Sequence, residues 1–223
     1  TTIGGLILDG GNFDWGGAGA DRQPALNTPD PCYGGVVWDQ QVTKTMGLPF
    51  AYLLKLRTTL LRDLGGAMSP FSAWMFIQGL ETLPLRMREH AKNAQAVAEF
   101  LENNDKVQSV TYPGLFEGAE REKADKYMKG GYGALIGFEL PGGKEAGSKF
   151  IDSLELLYHV ANIGDSRSLA IHPATTTHSQ LAPEEQLSAG VTPGYVRLSI
   201  GIEHVDDIIA DISQALDLSL IHI

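Results

Sequence analysis

Tyr195-Val196-Arg197-Leu198-Ser199-Ile200, followed shortly by Val205-Asp206-Asp207-Ile208-Ile209-Ala210-Asp211-Ile212-Ser213-Gln214-Ala215-Leu216, carries the decisive pattern. In the first segment apolar and polar side chains alternate with a period of two, as in a strand with one buried face. In the second, Val205, Ile208, Ile209, Ile212 and Leu216 recur at helical spacing, while Asp206, Asp207 and Asp211 fall elsewhere. A half-buried strand running into an amphipathic helix predicts a helix laid on a sheet, the unit of an α/β domain.

The same reading extends toward the amino terminus. Residues 106–112, 134–140, 156–162 and 168–172 predict further strands, separated by helical segments near 120–129, 144–155 and 183–189. Residues 86–103 predict a helix with Ala94, Val97, Ala98 and Leu101 on one stripe, stopped by Asn103-Asn104. Ser69-Pro70 supplies an N-cap and a first-turn proline, so another helix starts there. Residues 50–62 have helical spacing that ends at Gly65-Gly66. Residues 10–35, rich in Gly, Pro, Asn and Asp, predict a long irregular loop, and the apolar run at residues 3–8 predicts a buried strand. The chain is expected to divide near residue 85, with a remnant of a larger domain over 1–84 and a complete smaller domain over 85–218. Residues 219–223 follow a finished helix and read as a non-native tail.

With 27 acidic and 17 basic side chains the chain has a net charge of −10, which repels phosphate backbones and anionic lipid. Nucleic acid and membrane are therefore not expected partners. The most apolar run is too short to cross a bilayer, no signal peptide is visible, and the single cysteine, Cys32, fits a reducing compartment, so the chain is placed in the cytoplasm.

Arg197 is the sharpest candidate site residue, because the alternation puts it on the face opposite the core. A solvent-facing strand residue and a planar fork that grips a carboxylate both fit this pattern. From His172 to Ser179, hydroxyls and imidazoles are dense enough to line a polar site, and equally fit a loop held by its own side-chain-to-backbone bonds. No metal site is expected, since the two histidines lack further ligands at sensible spacing. Gly142-Gly143-Lys144 fails as a phosphate loop, with Phe138 and Glu145 at positions that require Gly and Ser or Thr. Cys32 has no nearby basic residue to activate it. Thr43-Lys44-Thr45 is placed in the loop region and rejected as a cofactor-lysine motif.

Gly79-Leu80-Glu81-Thr82-Leu83, Arg86-Met87-Arg88-Glu89-His90, Asn162-Ile163-Gly164-Asp165, the run from Leu169 to His178 and the segment from Arg197 to Glu203, taken in this order, resemble the pyridoxal-phosphate enzymes of sulfur amino-acid metabolism, the Cys/Met family. Pro29-Asp30-Pro31-Cys32-Tyr33-Gly34-Gly35 and the His172 run are most similar to the family's O-acetylhomoserine sulfhydrylase branch. The resemblance implies the carboxyl-terminal portion of an aspartate-aminotransferase-like, fold type I architecture with an α/β sandwich small domain. It implies pyridoxal 5'-phosphate as cofactor, an amino-acid substrate, and a homotetrameric parent enzyme. Arg197 matches the arginine that holds the substrate α-carboxylate, Asn162 a neighbouring contact and Thr177 a threonine of the same pocket. Many relatives carry serine at the Asn162 position, which points to the O-acetylhomoserine branch rather than the lyases. The implied reaction is γ-replacement of acetate by sulfide or methanethiol, giving homocysteine or methionine, with γ-elimination or a non-catalytic oligomerisation role as alternatives. The cofactor lysine is expected to precede Thr1, so the chain alone carries a substrate clamp without the Schiff-base group.

Overall fold

A computed structural model describes residues 2–219 of the chain, which divides into two compact units, Thr1–Leu80 and Glu81–Ile223. The first unit is helical. Short turns at Ala20–Arg22 and Pro31–Tyr33 flank α1 (Pro24–Asn27), and α2 (Trp38–Met46) and α3 (Ala51–Lys55) follow, the latter running on into a wider-turned segment at Leu56–Arg62. α4 (Pro70–Glu81) begins as expected, with the Ser72 N–H donating to Ser69 Oγ at 3.1 Å and Pro70 at the first helical position. The core of this unit is small, formed by Leu26, Trp38, Val42 and Ala51. Its polar anchor is Asp30, whose carboxylate accepts from Lys55 Nζ at 2.6 Å, Trp38 Nε1 at 2.9 Å and the Cys32 N–H at 3.0 Å. The ordered turns and this anchor break up what the sequence presents as one long loop.

Two expectations fail in this unit. Residues 3–8 form no strand, and Ile3, Leu6 and Leu8 are largely exposed. A strand must pair its N–H and C=O groups, and the described residues of this unit contain no sheet edge to receive it. Lys44 lies on α2 rather than in a loop, and is exposed there.

The second unit is the α/β domain. α5 (Leu83–Glu102) leads to β1 (Ser109–Thr111), α6 (Gly118–Tyr127), β2 (Leu135–Glu139), α7 (Gly143–Ser153), β3 (Tyr158–His159), β4 (Leu169–Ile171), α8 (Pro183–Ser188), β5 (Tyr195–Ser199) and α9 (Val205–Ser219). The sheet order is β1-β2-β5-β4-β3, with β3 and β4 parallel and the other pairs antiparallel. β5 is central, so its inward residues Val196 and Leu198 are fully buried beside Ile136 and Phe138 of β2. Ala94, Val97, Ala98 and Leu101 of α5, Phe150 and Ile151 of α7, and Ile208, Ile212 and Leu216 of α9 complete this core. The helical stripes and the strand alternation therefore meet in one layer, as their periodicities require.

Asp211 departs from the expected polar face of α9. It is buried, and its carboxylate accepts the N–H groups of Glu155, Leu156 and Leu157 at 2.8–3.0 Å, tying the turn after α7 to α9. Three amide donors offset the cost of burying the charge. Ser219, assigned to the tail, is the last residue of α9 and is buried; the rest of the expected tail, residues 220–223, lies outside the described residues, as does Thr1.

Candidate functional site

On the face of β5 opposite the core stand Tyr195, Arg197 and Ser199. Register places Gly137 of β2 on one side of Arg197 and Ile171 of β4 on the other. The arginine is half-buried, its Nη2 donates to the Asn162 backbone carbonyl at 3.3 Å, and its Nε is buried with no hydrogen-bond partner among the described residues. Its guanidinium thus retains unused donors beside the loop that follows β3. That loop is fastened to the same face, since the Gly164 N–H donates to Ser199 Oγ at 3.3 Å. Asn162 is exposed. The structure therefore brings Asn162 to Arg197 through the main chain.

Thr177 is exposed, and its hydroxyl lies 2.9 Å from His178 Nδ1. The rest of the His172 run is internally tied. The Thr176 hydroxyl donates to the His172 carbonyl, Ser179 Oγ donates to the Thr176 carbonyl, and the Gln186 amide donates to the carbonyls of Ala174 and His178. His172 itself is buried, with Nε2 at 2.7 Å from the Pro193 carbonyl and Nδ1 at 2.9 Å from Thr175 Oγ1. Nε2 therefore carries the proton and Nδ1 accepts from the threonine. Burial pushes the imidazole pKa below its ordinary value, so His172 is a neutral strut.

Two features of the site were not singled out by sequence. Tyr195 pairs in register with Glu139, yet its phenol leans along β2 over Gly137, where an added Cβ would lie 2.1 Å from the Tyr195 oxygen. Burial raises the phenol pKa, and Arg197 opposes that shift, placing the two groups within each other's field. Alternation alone puts Tyr195 on the arginine's face, but only the β2–β5 pairing identifies Gly137 as its seat. The second feature is a polar belt beyond β5. Glu203 accepts from the Ser168 N–H at 2.6 Å and from Ser168 Oγ at 2.9 Å, the Gly201 N–H donates to Ser168 Oγ, and Asn93 Nδ2 of α5 donates to the carbonyls of Gly201 and Glu203. This belt fixes the end of the strand that carries Arg197.

The arrangement can hold a carboxylate: a planar cation with free donors sits on a rigid central strand, with a backbone-anchored loop at its edge. Among the described residues, Arg197 is bordered by Gly137, Ile171, Tyr195, Ser199 and Asn162, none of which carries an amine. Among the described residues, too, no group of three His, Cys, Asp or Glu is arranged to hold a metal, and no helix is long and apolar enough to cross a membrane.

Comparison with known proteins adds to this geometry. The family described as Cys/Met metabolism PLP-dependent enzyme matches residues 2–217. The chain is 51 % identical over 220 residues to an O-acetyl-L-homoserine sulfhydrylase of Leptospira meyeri, covering 97 % of this chain and 49 % of that protein. It is 48 % identical over 219 residues to a homocysteine synthase of Schizosaccharomyces pombe, covering 98 % and 50 %. Among solved structures, a putative O-acetylhomoserine (thiol)-lyase of Campylobacter jejuni, containing a pyridoxyl-lysine phosphate, superposes with a TM-score of 0.76 at 43 % identity, covering 88 % of this chain and 45 % of that one. The chain spans about half the length of the curated relatives it matches.

Proposed function

Since the chain belongs to the Cys/Met metabolism PLP-dependent enzyme family, we propose that it forms the substrate-binding, carboxyl-terminal half of a γ-replacement enzyme that converts O-acetyl-L-homoserine and sulfide, or methanethiol, to homocysteine, or methionine, and acetate. In this reaction the Cγ–O bond of the substrate breaks, acetate leaves, and a C–S bond forms at the same carbon. The observation that carries the reading is Arg197, set on the open face of β5 with unused donors beside Asn162. Its fork receives the substrate α-carboxylate through two parallel N–H···O bonds. Asn162 and Thr177 are assigned to the same pocket, as neighbouring contacts of the bound amino acid. The similarity to sulfhydrylases and homocysteine synthases supports the choice of substrate.

Pyridoxal phosphate supplies, when bound, the electron sink for deprotonation next to the carboxylate. The chain's own residues do other work: Arg197 orients the amino acid by its carboxylate, and the Gly164–Ser199 bond keeps the adjoining loop in place. We assign the cofactor lysine to the half of the protein outside this chain, and place the assembled enzyme in the cytoplasm as a homotetramer.

The test is a product assay on the cofactor-loaded protein with O-acetyl-L-homoserine and sulfide. Homocysteine formed in step with acetate is expected; 2-oxobutanoate as the main product would replace γ-replacement with γ-elimination. The 223-residue chain alone, incubated with one equivalent of pyridoxal phosphate and then borohydride, is expected to show only scattered substoichiometric labelling of exposed lysines. A stoichiometric adduct on one lysine contradicts the assignment of the cofactor lysine to the other half.

A further inference from the structure

Arg197 lacks a normal neighbour on its β2 side. Residues directly opposite in an antiparallel pair place their Cβ atoms about 5 Å apart, and this contact is what confines a long side chain on a sheet face. The residue opposite Arg197 is Gly137, which has no side chain to offer. The space is not open, because the Tyr195 phenol occupies it: its oxygen lies 2.1 Å, and its Cζ and Cε2 2.7 Å, from where a Gly137 Cβ would stand. Tyr195 starts one step along β5 on the same face, opposite Glu139, and reaches its seat by leaning diagonally across to β2. On the other side of Arg197, the guanidinium extends to the Asn162 carbonyl.

Resting on the reading of Arg197 as the carboxylate clamp, we propose that Tyr195 seated over Gly137 is a positioning residue for that clamp, its ring standing in for the absent cross-strand neighbour and confining the guanidinium to the Asn162 side. An arginine loses much rotamer freedom when it grips a ligand, and a wall that removes the competing rotamers beforehand lowers that loss. The glycine is part of the device, since any side chain at position 137 evicts the phenol. The fit of the phenol to this seat also explains why a central strand tolerates glycine, which otherwise weakens a strand.

The test uses steady-state kinetics of the cofactor-loaded protein with O-acetyl-L-homoserine. Tyr195→Leu and Gly137→Ala are each expected to raise KM about 10-fold with kcat changed less than about threefold, the signature of lost ground-state binding. Gly137→Ala displaces only the far end of a flexible side chain, so it tests the device even where Tyr195→Leu fails to fold. The double variant is expected to be no worse than either single one, because both remove the same support. Tyr195→Phe, which keeps the ring, is expected to recover most of the loss. Arg197→Lys separates the two levels of the argument. If it leaves KM unchanged, the clamp reading itself falls. If it raises KM while Gly137→Ala does not, or if the Gly137 and Tyr195 effects multiply, the clamp stands and the positioning role falls.

Discussion

His172 shows how far a single residue can diverge from its apparent chemistry. Surrounded in sequence by hydroxyls and another imidazole, it fits either a polar site or a loop held by its own bonds, and the structure shows the second: both ring nitrogens are engaged and the ring is buried. Its value as a strut depends on its staying neutral. Burial lowers its pKa from 6.5, so below that pH the unfolded chain takes up a proton that the folded chain resists. The stability from this group is full above the unfolded value and falls as the pH drops through it. Melting midpoints are expected to fall between about pH 7.5 and about pH 5.5, and His172→Gln is expected to flatten that part of the profile. An unaltered slope in the variant contradicts the role. The lowered carboxyls of Asp30, Asp63 and Asp125 act in the same direction at a lower pH, as they protonate, and so do not mask this window. Arg197, by contrast, reads correctly at this scale for its orientation: period-two alternation places it away from the core, and the structure agrees. Of what it faces, Asn162 was named only through the family resemblance, and Gly137 and Ile171 were not legible at all, because they reach it through strand pairing.

Among the elements, the helices and strands of the second unit were the most legible, because each has one apolar face at its own period. β3 is reduced to Tyr158–His159, at the edge of the sheet where only one neighbour supports it. α7 and α9 illustrate what periodicity misses. Gly147, in the middle of α7, looks like a site where alanine would add helix propensity of about 1 kcal/mol. An added Cβ would instead meet His172 Nε2 at 2.4 Å, and that ring is held by Pro193 and Thr175. Overpacking of this kind costs about 1–3 kcal/mol, so Gly147→Ala is expected to destabilise on balance, by roughly 1 kcal/mol in denaturant unfolding. A more stable variant overturns that account. On α9, Asp211→Ala leaves three amide donors without their acceptor and is expected to cost on the order of 3 kcal/mol, far more than the same change at the exposed Asp207. Equal, small effects at both positions contradict the bridging role.

At the scale of the whole molecule, the two units differ in how much core each commands. The first buries Leu26, Trp38, Val42 and Ala51, whereas the second closes a five-stranded sheet under three helices. Residues 81–219 alone are expected to unfold in one cooperative transition, with near- and far-UV circular dichroism coinciding. Separated transitions contradict this. Ile3, Leu6 and Leu8 show the limit of reading an apolar run in isolation: the run has strand-like composition but no partner strand among the described residues. The sequence by itself determined the α/β character of the second unit, most of its element order and the outward face of Arg197, because these follow from short-range periodicity and capping. The tertiary structure alone decided that His172 and Asp211 are buried struts, that residues 3–8 find no strand partner among the described residues, and that a tyrosine fills the place of a side chain that Gly137 lacks. Each of these depends on which distant backbone or side-chain group meets the residue, and local pattern carries no record of that meeting.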